Sequence, residues 1–345
     1  MQNLFKHEDY KERIKKRSQI IKTIREFFWE RNFLEIETPI LVKLPGQEPN
    51  LDVFKTKFVS IPGPAGATFE HDMYLITSPE YAMKKLLAAG FERIFQITKS
   101  FRNKETESQL HNPEFTILEW YRANADYREI MQDTESLIFE MTKFCYGGAI
   151  LPYQGHKIDT TPPWPRLRVF NAFERYAGID RNTLVGTEKL RVAVKAKGYK
   201  LNPDASYEDL FFIVFLNEIE QKLGHEKPLI LYDYPEQMAA LATVRSENGT
   251  FFAERFEVYC AGIELCNAFN ELTDPVEQRR RLEKEQKIRK QIGKDCYEID
   301  RSFIRALECG MPPAGGIALG VDRLIMLLTD TPDINDVLAF PFKDL

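Results

Sequence analysis

The spacing of apolar residues divides the chain into helical and extended stretches. Ile14, Ile21, Ile24, Phe27 and Phe28 recur among charges between residues 12 and 31, which predicts an amphipathic helix. Residues 33–38 alternate, with Leu34, Ile36 and Thr38 set against Glu35 and Glu37, and predict a strand that Pro39 ends. Short strands are expected at 54–59 and 74–77. Ser78-Pro79-Glu80 then reads as a helix start, with Ser78 as N-cap and Pro79 at the first helical position. Two further strands at 95–102 and 113–122 flank a charged loop. In the second, Phe115, Ile117, Glu119 and Tyr121 share one face. A carboxylate between two aromatics is costly to bury unless a cation or donors meet it. That face is therefore either a half-exposed edge or the floor of a polar site for an amine-bearing ligand.

The second half opens with a helix at 126–144 and a loop at 147–165 that ends in Thr161-Pro162-Pro163-Trp164-Pro165. Helical spacing at 168–177, 188–196 and 207–223 predicts a mostly helical insertion over about residues 165–225. Strands resume at 229–232. A hairpin is predicted from 256–259 and 263–266 around Ala261-Gly262. A two-residue turn places Glu257 opposite Cys266 and Tyr259 opposite Glu264, so the two glutamates become diagonal neighbours on one face. Diagonal Cβ atoms are roughly 7 Å apart, near enough for two carboxylates to hold a hard cation. Asn267 and Glu271 have the opposite parity to Glu264, and they join its site only if the strand bulges or ends between them. Residues 274–291 predict a helix with a largely solvated charged face. Finally, residues 315–328 read as a glycine-bearing strand entering an apolar helix, with Gly320 and Arg323 at the junction, a natural anion site.

With 345 residues, 43% hydrophobic and 29% charged, the chain has the composition of an ordinary globular protein. A net charge of -5 supplies no bulk basic footprint of the kind that drives non-specific nucleic-acid binding. The first ten residues are polar and no apolar run reaches membrane-spanning length, so neither a signal peptide nor a membrane is expected, and the cytoplasm is. Five cysteines without a CxxC pair suggest neither a disulfide framework nor a cysteine zinc site. The phosphate-binding pattern G-x-x-x-x-G-K-[ST] is absent, which excludes an ordinary P-loop. Arg102 and Arg323, Phe115, and the acids Glu257 and Glu264 nonetheless suit a nucleoside triphosphate with Mg²⁺. Glu80, Glu119 and Glu271 suit an amino-rich second substrate.

Several stretches resemble class II lysyl-tRNA synthetases. SFRN with HNPEFTILEWY resembles their second motif, GGIALGVDRL the third, and the helix, strand and proline of 12–39 the first. FEVYCAGIELCNAFNELTDPVEQRRR resembles the lysine-type signature between motifs two and three. The chain starts almost at the first motif, so no OB-fold anticodon domain is expected. That arrangement resembles the elongation factor P lysine ligases, which attach (R)-β-lysine to a lysine of elongation factor P. The resemblance implies a single α+β catalytic domain over 1–345, an antiparallel sheet of six or seven strands flanked by helices, and a homodimer built partly through motif one. It implies two-step chemistry: ATP and the amino acid give an aminoacyl adenylate, then an amine attacks the activated carbonyl.

Carried over by motif, Arg102 and Arg323 would be the catalytic residues, clamping the α- and γ-phosphates. Phe115 would stack on adenine. Asn103, Lys104, Glu105, His111, Asn112, Leu265 and Gly320 would surround the nucleotide, and Glu257 and Glu264 would coordinate Mg²⁺, with Glu264 also meeting ATP. Ser78, Glu80, Glu119, Tyr121, Asn267, Glu271 and Ala318 would line the amino-acid pocket, with Glu271 facing the side-chain ammonium. Two departures stand out. The loop from Arg102 to His111 is one residue longer than the family pattern, with Lys104 where an acid is common. Ala318 replaces the usual glycine, and an added methyl there favours β-lysine over α-lysine. Elongation factor P is then the expected acceptor, and tRNA is not an expected partner. The alternatives are a synthetase-like enzyme passing α-lysine to tRNA or another amine, and a regulatory paralogue, against which the retained Arg102, Glu257, Glu264 and Arg323 argue.

Overall fold

The computed structural model describes residues 8–60, 68–105 and 108–345. Its centre is a nine-stranded sheet whose path begins at Leu34–Glu35, passes through Arg93–Phe101, Glu114–Ala123, Ala314–Gly320, Ile263–Asn270, Thr250–Cys260 and Leu229–Pro235, and ends at Arg166–Arg168. Val244–Glu247 pairs off this path with Thr250–Cys260. The six long strands are antiparallel, but the two outermost pairings are parallel. The sheet is therefore mixed and wider than the expected six or seven strands. The predicted strand at 33–38 shrinks to Leu34–Glu35. The loop expected at 147–165 contains a two-stranded hairpin, Ile150–Tyr153 with His156–Asp159.

Strand parity decides what each face of the sheet meets. Phe95, Leu118, Trp120, Val258, Ala268, Ile317 and Leu319 point one way, into a core made with helices Glu8–Trp29, Tyr127–Tyr146 and Val321–Leu328. Phe28 stacks on Phe95, 4.8 Å between ring centres, and anchors the first helix there. The opposite face carries Glu119, Tyr121, Glu257, Tyr259, Asn267 and Ala318 and is not filled by one layer. Helices Glu80–Ala88, Pro275–Gln291 and Arg301–Glu308 cover one side of it through Met83, Leu87, Leu282, Phe303 and Leu307. On the other side, residues 169–223 form a second apolar core around Phe170, Phe173, Leu210, Phe211 and Phe215. The run predicted as one helix at 207–223 is an α-helix, Tyr207–Val214, followed by a π turn and a 3-10 turn that ends at Lys222. Between the two cover layers lies a cavity floored by the sheet. No helix among the described residues is long and apolar enough to cross a membrane.

Candidate active site

The floor of the cavity is a row of cross-strand neighbours. Gln96 pairs with Glu119, Glu119 with Ala318, Ala318 with Asn267, and Asn267 with Glu257. This register corrects the predicted hairpin, in which Glu257 faced Cys266. Ala261 and Gly262 do form a tight two-residue turn, both at positive φ, and Tyr259 does lie opposite Glu264. Beyond that pair, however, Val258 meets Cys266, so Leu265 is an extra residue in the ladder. The bulge reverses parity between Glu264 and Asn267. It puts Glu264, Asn267, Phe269 and Glu271 on the face that also holds Glu257.

One cavity of about 450 Å³ is lined by Ser78, Glu80, Arg102, Glu105, His111, Asn112, Phe115, Glu119, Tyr121, Glu257, Glu264, Leu265, Asn267, Glu271, Ala318, Gly320 and Arg323. Asn103 and Lys104 are the two sequence-derived site residues that do not line it. Asn103 bridges to the backbone of Asp52, and Lys104, at positive φ, sends its ammonium to the Asp52 carboxylate at 3.5 Å.

One end of the cavity is cationic. Arg102 lies over the Phe115 ring, 5.1 Å from its centre, and its buried Nε has no hydrogen-bond acceptor among the described residues. Arg323 donates to the Glu264 carbonyl at 2.8 Å and to His111 Nε2 at 3.0 Å. His111 Nδ1 is 2.6 Å from Ser108 Oγ. Burial, then the Arg323 charge, pushes the His111 pKa below its ordinary value, against a weaker pull from Glu105. A neutral imidazole with its proton on Nδ1 satisfies both contacts.

The other end is acidic. Glu119 is fully buried and accepts from Ser78 Oγ at 2.5 Å and Tyr121 Oη at 2.9 Å. Burial, then Glu80, raises its pKa to about 8 against those hydrogen bonds. Ser78 is not the helix cap that the sequence suggested. The helix begins at Glu80 with Pro79 at the cap position, although Ser78 Oγ still receives the Glu80 amide at 3.1 Å. Glu271 closes the ladder as the partner of Ala242 in an isolated bridge. Its Oε2 is 2.6 Å from Lys84 Nζ, and its buried Oε1 has no donor among the described residues. A Cβ at Gly316 would collide with that oxygen and with the Tyr121 ring.

Residues 2–344 match the family described as tRNA synthetases class II (D, K and N). The chain belongs to this class II tRNA synthetase family. It is 38% identical to the lysine–tRNA ligase of Clostridium novyi over 349 residues, covering 98% of this chain and 64% of that protein. It is 38% identical to the lysine–tRNA ligase of Moorella thermoacetica over 332 residues, covering 94% of this chain and 64% of that protein. The enzyme of the same name from Clostridium tetani is 35% identical over 342 residues. The chain spans a little under two thirds of the length of these curated relatives.

In this class II synthetase fold the two glutamates expected to hold Mg²⁺ differ. Glu264 has a half-open carboxylate whose nearest cation is Arg323 at 3.6 Å. Glu257 is buried, with Oε2 accepting from Tyr234 at 2.5 Å and Tyr259 at 2.6 Å and Oε1 from Arg255 at 2.5 Å. Among the described residues no cluster of three or more metal-ligating side chains exists. Glu264, with one remaining lone pair of Glu257, fits an ion that arrives on triphosphate oxygens. It does not fit a resident ion in a protein cage, and Mg²⁺ is usually held in the former way.

Three residues that line or back the cavity escaped the sequence reading. Arg255 also donates to the Met238 carbonyl at 2.9 Å and to Asn267 at 3.1 Å and lies 4.3 Å from the Tyr234 ring centre. The alternation Arg255, Glu257, Tyr259 on one strand face could have revealed it. Lys84 shares a helix face with Glu80, Met83 and Leu87, so its burial was also legible. Glu220 lines the cavity from the insertion, where burial, then Glu264 and Glu257, raises its pKa to about 7. Nothing in its local sequence distinguishes it.

Proposed function

We propose that this protein activates (R)-β-lysine with ATP and transfers it to a lysine side chain of elongation factor P. The carrying observation is the polarity of one cavity: Arg102, His111, Phe115 and Arg323 at one end, and Glu80, Glu119 and Glu271 at the other. Triphosphate oxygens suit the cationic end and a diamino acid suits the acidic end, so the substrate carboxylate points toward the α-phosphate. No general base is needed for adenylation, because a carboxylate is already a nucleophile. Rate would come from in-line positioning and from neutralising the developing phosphate charge with Arg102 and Arg323. Mg²⁺ bound with ATP would add further neutralisation near Glu264.

The choice of β-lysine rests on Ala318. Its methyl lies between Glu119 and Asn267 on the cavity floor, where it narrows the space beside the substrate backbone. A protein acceptor suits the net charge of -5 better than a polyanionic tRNA does. Dimer formation is part of the proposal, supported by exposed Leu34, Ile40, Leu41, Phe58 and Val59 near the first motif. The names of the relatives support a second reading, α-lysine passed to tRNA.

The test is amino-acid-dependent ATP–pyrophosphate exchange followed by intact mass of elongation factor P. Preferential exchange with β-lysine and a mass gain of one β-lysyl group are expected, and Ala318→Gly should shift the preference toward α-lysine. Better exchange with α-lysine and efficient tRNA charging would replace the proposal with the second reading.

A further inference from the structure

Lys84 is one of the largest fully buried side chains in the molecule, and it is a cation. Its Nζ lies 2.5 Å from Glu80 Oε1 and 2.6 Å from Glu271 Oε2, at the acidic end of the cavity. Burial works against the ammonium, but Glu271 and then Glu80 outweigh it and hold the lysine charged above its ordinary pKa. Glu119 and Tyr121 face the same group from the neighbouring strand, and the charge of Lys84 is felt at Glu119. Glu48, which also lines the cavity, and Glu285 face Glu80 from the 46–51 loop and the Pro275–Gln291 helix. A buried ammonium that reached only structural partners would be an expensive way to join two elements. This one instead lies behind the cavity wall, against two carboxylates that line it.

Charge arithmetic gives it a purpose. Three ionised carboxylates and one ammonium sum to two negative charges, which matches the two ammonium groups of a diamino acid. We propose that Lys84 is a positioning residue of the amino-acid pocket: it cancels one of the carboxylates Glu80, Glu119 and Glu271 and leaves the other two for the two amines of the substrate. The inference rests on the amino-acid reading of the acidic end. In the empty pocket Glu119 and Glu271 retain protons near neutrality, both raised to about 8 by burial. A diammonium substrate then displaces protons as it binds. Lys84 also holds Glu271 through Oε2, and Oε1, without a donor among the described residues, is left over Gly316.

The experiment compares wild type with Lys84→Met, a substitution of similar shape without the charge, in pyrophosphate exchange between pH 6 and 9.5. At neutral pH the KM for the amino acid should rise about tenfold or more while the KM for ATP stays within about twofold. The acidic limb of kcat/KM for the amino acid should move up by about one pH unit, because Glu271 loses the cation that favours its charged form. A merely structural role would raise both KM values alike and leave the limb in place, and that result overturns the assignment. If the variant does not fold, calorimetry of wild type with the amino acid in two buffers of different ionisation enthalpy decides. Net proton release at pH 7 is expected, and none, or uptake, overturns the proposal. Wild-type exchange is measured first: if neither lysine nor β-lysine supports it, the amino-acid reading itself fails, whereas exchange with an unmoved Lys84→Met profile removes only the role of Lys84.

Discussion

At the scale of single residues, the site depends as much on missing atoms as on charged ones. Gly316 lies between Tyr121 and Phe269 in the ladder, and its absent side chain makes room for Glu271 Oε1 and the Tyr121 ring. Gly316→Ala should force both aside, raising the KM for the amino acid about tenfold or more while the ATP KM changes little. Exchange kinetics with each substrate varied in turn checks this. The positions of Ser78, Glu119, Tyr121, Arg102 and Arg323 were legible in the sequence because each stands in a motif or an alternating strand face. Lys84 and Arg255 were legible in principle, since each shares a face with a glutamate. Tyr234 was not, because its contact with Glu257 spans 23 residues and depends on the pairing of two strands. Asn103 and Lys104 lie off the cavity because both are engaged by Asp52, a partner some fifty residues away that local sequence does not announce.

At the scale of elements, the Thr250–Cys260 strand carries its own buried ion pair, Arg255 with Glu257 two residues on. Removing one partner strands the other in a low-dielectric site, so Arg255→Met should cost about 3–5 kcal/mol in urea unfolding. Adding Glu257→Gln should cost much less than a second increment of that size, because the orphaned charge is gone. Additive losses would show that the pair is not coupled. The existence of the long strands around this site was largely readable from period-two alternation and turn chemistry. Their order and register were not. The hairpin turn at Ala261-Gly262 was found correctly, but a one-residue bulge at Leu265 leaves no compositional mark and can only be inferred from the wish to put Glu264 and Asn267 on one face. The small strands at 150–159 were hidden because a Pro- and Gly-containing stretch reads as loop until its partner is known.

At the scale of the whole molecule, the buried acids make an unusual forecast for stability against pH. Burial leads the causes that raise Glu119, Glu271 and Glu285 to about 8 and Glu220 to about 7. Unfolded carboxylates titrate near 4. Below that both states keep these protons; between about pH 5 and 8 only the folded state keeps them; above about 8 the fold must hold buried charge. Stability therefore falls as pH rises from about 5 to about 8. Melting temperatures of the ligand-free protein at pH 5.5, 7 and 8.5 should decrease in that order, and an increase would contradict the picture. Fold class was visible from the sequence at this scale, whereas the parallel pairing of the two outer strands was not: the strand predicted at 33–38 carries no mark of its partner, and Arg166–Arg168 is too short to carry a pattern. The topology has one more consequence, for the order in which the molecule is made. Ala314–Gly320 is the last strand of the sheet in the chain, yet it lies at the centre, between Glu114–Ala123 and Ile263–Asn270. Until it leaves the ribosome, the two halves of the sheet have no partner at the seam, and the floor row is broken between Glu119 and Asn267. A nascent chain halted short of residue 314 would expose two unpaired edges and rely on chaperones, and no ligand could rescue it, because the pocket closes with the final strand.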